Sequence, residues 1–74
     1  MRDPFTIAGQ IEQLVEMLGG AAICDDCITD RLDLSVRSQA NAVTRVMEGE
    51  EAFVREKGRC IDCARNKIVV RLRR

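Results

Sequence analysis

Four cysteines in two C-x-x-C pairs are the residues of this sequence best suited to chemistry. Cys24 and Cys27 form the first pair, Cys60 and Cys63 form the second, and 32 residues separate the pairs. Two residues between thiols allow both sulfurs to turn toward one point, and two pairs supply a tetrahedral four-thiolate shell. The spacing therefore predicts one structural Zn²⁺ ion, because four protein ligands leave no open position for a catalytic water.

Three other uses of the cysteines remain open beside zinc. A rubredoxin-like iron site has two similar pairs, but Ile28 and Ala64 stand here where that family has glycine after each second cysteine. A thioredoxin-like redox motif needs a single pair in a βαβ setting, and disulfides are typical of secreted chains. If zinc is bound, Arg59 and Arg65 beside the second pair are candidates to balance its negative thiolate cluster.

Catalytic chemistry has little support in the composition. The chain has no histidine, so it has neither a Ser-His catalytic arrangement nor a His-bearing metal site. Asp26, Asp30 and Asp33 lie at helical spacing, which is typical of a solvated helix face. Gly19-Gly20 is too short to form a phosphate-binding loop. We therefore expect that the protein is not an enzyme.

Hydrophobic periodicity predicts the helices that must position the cysteines. The first helix spans residues 5–18, where apolar side chains recur at three- and four-residue intervals and Thr6 or Asp3 can cap the start. Gly19-Gly20 ends it, because glycine accepts the left-handed conformation at a helix C-terminus. A second, short helix is predicted over residues 26–32.

A third helix and a hairpin complete the predicted fold. Ser35 is the expected N-cap of a helix over residues 36–48, and alternation within residues 67–74 predicts a strand that pairs with residues 52–57. The order of elements indicates an α+β domain, a winged helix-turn-helix with three helices and a β-hairpin wing. Residues 1–74 form one domain, whose small core needs a metal staple.

Charge is distributed unevenly although the chain is neutral overall. Residues 1–36 hold two basic and seven acidic side chains, whereas residues 37–74 hold ten basic and five acidic ones. Such separation favours a basic face toward a polyanion. The sequence has no secretory signal and no apolar run long enough for a membrane span, so we expect a cytoplasmic protein, which would be nucleoid-associated if it binds DNA.

The third helix is the segment best suited to a DNA major groove. If Val36, Ala40, Val43 and Met47 face inward, an outward face remains with polar residues that can read bases or contact phosphates. The predicted DNA-binding residues are Arg37, Ser38, Gln39, Asn41 and Arg45 on this helix and Arg59, Arg65 and Lys67 on the hairpin. An ordinary solvated helix face has the same composition.

A resemblance to a known family is carried by three segments, ICDDCITDRLDL, SVRSQANAVTRVM and GRCIDCARNKIVVRL. They resemble the small winged helix-turn-helix domains that carry a four-cysteine zinc site, and the similarity covers residues 5–73. It implies binding to double-stranded DNA, metal ligation by all four cysteines and a role in transcription regulation. A homodimer is a further expectation. The rival hypothesis is a protein-interaction adaptor on the same fold, because fold alone does not determine function.

Overall fold

The computed structural model describes residues 6–73, which form three helices and a three-stranded antiparallel sheet. The elements are α1 (Ile7–Met17), β1 (Ile23–Cys24), α2 (Asp25–Leu32), α3 (Arg37–Glu48), β2 (Phe53–Arg59) and β3 (Asn66–Leu72). The predicted α+β class, three helices and hairpin are confirmed, with ends shifted by one or two residues. Asp3, the alternative cap of α1, lies outside the described residues.

Local signals determine both ends of α1. The Thr6 side chain accepts a hydrogen bond from the Gly9 backbone N–H at 3.0 Å, as expected of an N-cap. Beyond the helix, Gly19 and Gly20 have φ angles of 62° and 109°. These left-handed conformations, which residues with a side chain rarely adopt, turn the chain from α1 into β1.

The sheet has the strand order β1-β3-β2, so the last strand lies in the middle. In β1, Ile23 and Cys24 pair with Val70 and Val69 of β3, and β2 pairs with β3 along its whole length. Residues 60–65 connect β2 to β3. This connection folds back over β1, where the Ile61 N–H donates to the Ala22 carbonyl at 2.7 Å. The two cysteine-bearing segments are thereby brought together.

One core joins the inner faces of the helices to the sheet. Its buried apolar residues outside the cysteines are Ile11, Val15, Ile23, Ile28, Ala40, Met47, Phe53, Val69 and Val70. Phe53 is its single aromatic residue among those described, so branched aliphatic side chains fill most of the interior. This burial fixes the orientation of α2 and α3 relative to the hairpin.

The predicted inner face of α3 requires two corrections. Ala40, Thr44 and Met47 are fully buried, and Val43 is only partly buried. Val36 is 52% exposed because it precedes the helix in an extended conformation. Val36, and not Ser35, occupies the N-cap position, and its backbone N–H contacts the Gln39 side-chain oxygen at 3.5 Å.

Candidate metal centre

Four sulfur atoms converge where β1, α2 and the β2–β3 connection meet. Cys24 ends β1, Cys27 lies in the first turn of α2, and Cys60 and Cys63 lie in the connection. All four Sγ atoms lie within 4.8 Å of one another, and those of Cys24 and Cys63 are 3.9 Å apart. A tetrahedral shell with Zn–S bonds of 2.3 Å would place sulfurs about 3.8 Å apart. The four cysteines, all within the described residues, are free thiols, so the cluster is positioned to bind a metal ion.

Backbone conformation shapes the two cysteine segments. Cys24 occupies the extended N-cap position of α2, and its N–H donates to Cys60 Sγ at 3.4 Å. The second segment is a tight turn, in which the Cys60 N–H donates to the Arg65 carbonyl and the Ala64 N–H donates to the Cys60 carbonyl. Ala64 has a φ of 62°, which closes this turn. The two segments therefore face each other as preshaped halves of one site.

Burial and hydrogen bonding give the thiols different affinities for protons. Burial disfavours ionisation of Cys60, but backbone N–H groups of Cys63, Cys24 and Asp62, with the Cys27 side chain, lower its pKa to about 6. Burial, followed by contacts with the other cysteines, raises the pKa of Cys27. Burial also raises the pKa of Cys24. One thiolate thus forms readily, and a bound cation must displace protons from Cys24 and Cys27.

The donor set matches a soft or borderline metal ion. Four thiolates in a tetrahedral arrangement suit Zn²⁺ or iron, whereas Mg²⁺ and Ca²⁺ prefer oxygen ligands. Cys24 and Cys60 are each 1% exposed and Cys27 is 8% exposed, so water has little access to these three residues, whereas Cys63 is partly exposed. A metal ion held by Cys24, Cys27, Cys60 and Cys63 would have a closed shell, which is typical of structural sites.

Three ion pairs flank the sulfur cluster, and two of them connect the two cysteine segments. Arg31 donates through Nε and Nη2 to the Asp62 carboxylate at 2.6 and 2.5 Å. Lys67 Nζ lies 2.5 Å from Asp26 Oδ2, and Arg37 Nε lies 2.5 Å from Asp26 Oδ1. The hydrogen bond from Arg31 lowers the pKa of Asp62, and that from Lys67 lowers the pKa of Asp26. Both carboxylates are therefore charged at neutral pH.

Two basic residues that were not expected to take part pair with the aspartates of the cysteine segments. Arg31 contacts Asp62 and Lys67 contacts Asp26, whereas Arg59 and Arg65 are exposed. Asp62 raises the pKa of Arg31 most, and ionised Cys27 and Cys60 add to the effect. The sequence does carry a signal for these pairs. Residues 24–31 and 60–67 both read C-x-D-C-x-x-x followed by a basic residue.

A buried carboxylate, which was not predicted from the sequence, joins α2 to α3. Asp25 is 4% exposed and accepts hydrogen bonds from Thr44 Oγ1 at 2.8 Å and Asn41 Nδ2 at 2.9 Å. Arg55 Nη2 lies 3.9 Å from the same carboxylate. The predicted outward placement of Asn41 is therefore wrong, since its amide faces the α2–α3 interface. The spacing of polar residues within each helix did not predict this contact, because its partners lie on two different helices.

The other predicted DNA-contacting residues fall into three groups. Ser38, Arg45, Arg59 and Arg65 are exposed. Arg37 and Lys67 meet at Asp26, which uses part of their charge within the protein. Gln39 is partly buried beside the start of α3. The structure thus brings the start of α3 and the start of β3 together without gathering all eight residues on one face.

No family model matches this chain, and comparisons with curated proteins and with solved structures find no significant match. Within residues 6–73, none of the helices has the length and apolar character that a bilayer crossing requires. Fold and site together define a small α+β domain with a four-cysteine cluster positioned to bind a metal ion.

Proposed function

We propose that this protein is a zinc-stabilised winged helix-turn-helix domain that binds double-stranded DNA. The supporting observation is the position of Asp26, whose carboxylate contacts Arg37 at the start of α3 and Lys67 at the start of β3. The first turn of α3 and the basic hairpin therefore lie close enough for Arg37 and Lys67 to contact the same carboxylate. A recognition helix reads bases with its N-terminal residues while groups on neighbouring elements contact phosphates.

The order of the elements supports the winged-helix assignment. α2 and α3 form two helices joined by the short connection 33–36, in which Asp33 adopts a left-handed φ of 53°. The hairpin of β2 and β3 follows, and β1 pairs with β3 to give the strand order β1-β3-β2. Winged helix-turn-helix domains have this succession, with the hairpin as the wing and the last helix of the pair as the recognition helix.

Zinc is the metal proposed for the cluster. The 3.9 Å separation of Cys24 Sγ and Cys63 Sγ agrees with a zinc–thiolate tetrahedron, and the closed four-sulfur shell favours a structural role. Bound metal would tie the hairpin connection to the start of α2 and so hold the wing against the helix pair. Iron remains the alternative, and elemental analysis of the purified protein distinguishes the two metals.

The exposed face of α3 offers a surface for a DNA groove. Ser38, Ala42 and Arg45 are exposed at spacings of four and three residues, which places them on one side of the helix. Ser38 and Ala42 are small enough to allow close approach, and an arginine can bind guanine through two hydrogen bonds. Asn41 is omitted from the proposed base contacts because Asp25 binds its amide.

The hairpin supplies cations for the DNA backbone. Lys57, Arg59 and Arg65 are exposed and have no ion-pair partner among residues 6–73, which leaves their charge available for phosphates. Elsewhere on the sheet, Arg71 pairs with Glu56, and Arg73 donates to the Glu51 carbonyl. The available charge therefore concentrates at the end of the hairpin next to the 60–65 connection, and the Asp26 contacts link that end to the start of α3.

Fluorescence anisotropy with a pool of random duplexes tests this function. Binding should weaken steeply with salt, because each neutralised phosphate contributes about 0.9 to the slope of log K against log salt. Replacing Arg59 and Arg65 by alanine should reduce that slope by about two while the fold is retained. Arg73→Ala is the matched control, since it removes the same type of charge near the opposite end of the hairpin. An absence of binding at low salt by the zinc-loaded native protein contradicts the proposal.

A protein-interaction adaptor is the second candidate. Met17 is 81% exposed beside a groove of about 340 Å³ that Leu14 and Leu32 help to line, between α1 and α2. Exposed apolar surface of this kind favours contact with another protein. An absence of DNA binding by the native protein, together with an intact metal centre, would favour this candidate. If Met17→Gln binds DNA with an unchanged salt dependence, the groove beside Met17 is separate from the proposed DNA-binding surface.

A further inference from the structure

The two cysteine segments, residues 24–31 and 60–67, share an eight-residue pattern, and the charged residues of each segment pair with those of the other. We call these two ion pairs the crossed pairs. Each segment has an aspartate directly before its second cysteine, and a basic residue four positions after that cysteine. Asp26 of the first segment pairs with Lys67 of the second, and Asp62 of the second pairs with Arg31 of the first. Each segment therefore gives one anion to the other and receives one cation from it.

The two crossed pairs lie next to the sulfurs they connect. Arg31 is four residues after Cys27 on α2, so both side chains project from the same face of that helix. Asp62 lies between Cys60 and Cys63 in the turn, and its two hydrogen bonds from Arg31 fix the orientation of the turn. The Lys67–Asp26 pair makes the equivalent connection from the start of β3.

We propose that Asp26, Arg31, Asp62 and Lys67 are positioning residues of the metal centre. The crossed pairs hold the two cysteine segments opposite each other before the ion binds, which lowers the conformational entropy lost when four thiolates gather around one metal. This inference rests on the metal binding proposed above and is independent of DNA. Its physical basis is that groups outside the ligand shell fix the orientation of the ligands.

A simpler explanation, neutralisation of the negative thiolate cluster, makes a different prediction. If only charge mattered, removing the cation of Arg31 would weaken metal binding, whereas removing the anion of Asp62 would strengthen it. A positioning role requires both changes to weaken binding, because either one breaks the same pair. The signs of two single substitutions therefore separate the two explanations.

The test measures zinc affinity of full-length variants by competition with a chromophoric chelator. Arg31→Gln and Asp62→Asn should each weaken zinc binding, by about tenfold at the lower end of the range for such partners. The charge exchange Arg31→Asp with Asp62→Arg should recover most of the loss. Glu56→Gln and Arg71→Gln are matched controls, because they break a cross-strand ion pair away from the cysteines and should leave zinc affinity unchanged.

Two further measurements keep the result interpretable. The absorption spectrum of the cobalt-substituted protein should retain its four-thiolate form in every variant, and circular dichroism should show unchanged helix content. Lys67→Gln breaks the Lys67–Asp26 pair and should also weaken zinc binding. This variant provides the test if the Arg31–Asp62 pair proves necessary for folding.

Three outcomes overturn the inference. Zinc affinities of Arg31→Gln and Asp62→Asn equal to that of the native protein exclude a positioning role. Effects of opposite sign in these two variants assign the pair to charge neutralisation instead. A native protein that binds no zinc refutes the proposed metal centre and this inference with it, whereas tight native binding with unaffected variants refutes the inference alone.

Discussion

Removing the buried carboxylate of Asp25 should destabilise the protein far more than removing an exposed carboxylate from the same helix. Asp25 is 4% exposed and accepts hydrogen bonds from Thr44 and Asn41, which join α2 to α3. A hydrogen bond to a charged group contributes about 1.5–3 kcal/mol. In Asp25→Ala, the Thr44 hydroxyl can still donate to the Asn41 carbonyl, 3.3 Å away, which offsets part of the loss. We therefore expect a decrease of about 3 kcal/mol in the free energy of unfolding.

The asparagine variant should be much milder. The amide of an asparagine at position 25 can accept from Asn41 through its oxygen and donate to the Thr44 hydroxyl, which then donates to the Asn41 carbonyl. Only the contribution of the charge is lost, so Asp25→Asn should cost about 1 kcal/mol. The exposed Asp30 on the same helix provides the control, and Asp30→Ala should change stability by less than about 0.5 kcal/mol.

Urea denaturation followed by circular dichroism measures these differences. Free zinc must be held at one concentration for all variants, because a ligand that binds the folded state adds to apparent stability. The expected order of loss is Asp25→Ala first, then Asp25→Asn, then Asp30→Ala. Equal losses for Asp25→Ala and Asp30→Ala would refute the claim that this carboxylate holds α3 against α2.

Three other predictions concern the turn, the free thiols and the metal. Gly20→Ala should lower the free energy of unfolding in urea by about 1 kcal/mol or more, because φ is 109° at this position. Gly49→Ala is the control and should not destabilise the protein, because the added methyl group meets only the Val46 carbonyl at 3.5 Å. In the metal-free protein, ultraviolet absorbance should show the Cys60 thiolate forming with a midpoint near pH 6, and this signal should be absent in Cys60→Ser. Because the pKa of Cys60 is lowered from 9.0 to about 6 on folding, its contribution to the free energy of unfolding is complete above pH 9.0 and is lost as the pH falls through about 6. Removal of the metal by a chelator should lower the thermal midpoint sharply, and an unchanged midpoint would contradict a structural role for the ion.

The parts of the structure that depend on local sequence were predictable. Helix periodicity, the Thr6 cap and the Gly19-Gly20 turn each act within a few residues, so they are readable without knowing the topology. The cysteine pairs were also informative, because two residues between thiols already constrain both sulfurs. Convergence of Cys24, Cys27, Cys60 and Cys63 is the part of the site that the sequence predicted and the structure brings together.

The contacts that were missed depend on distant segments. Lys67 and Asp26 are 41 residues apart in sequence, and Arg31 and Asp62 are 31 apart. The pattern shared by residues 24–31 and 60–67 marks these four charged residues, but which of them pair is not readable before β3 is placed beside β1. Thr44 was overlooked because a polar residue was not expected on the inner face of α3. Its burial is explained only by the carboxylate of Asp25, which is supplied by another helix.

X-ray absorption at the zinc edge of the purified protein is the decisive measurement for the proposed metal centre. We expect one zinc ion per chain, surrounded by four sulfur neighbours at about 2.3 Å and no oxygen or nitrogen neighbour. A protein without zinc, or a shell that includes nitrogen or oxygen, would contradict it.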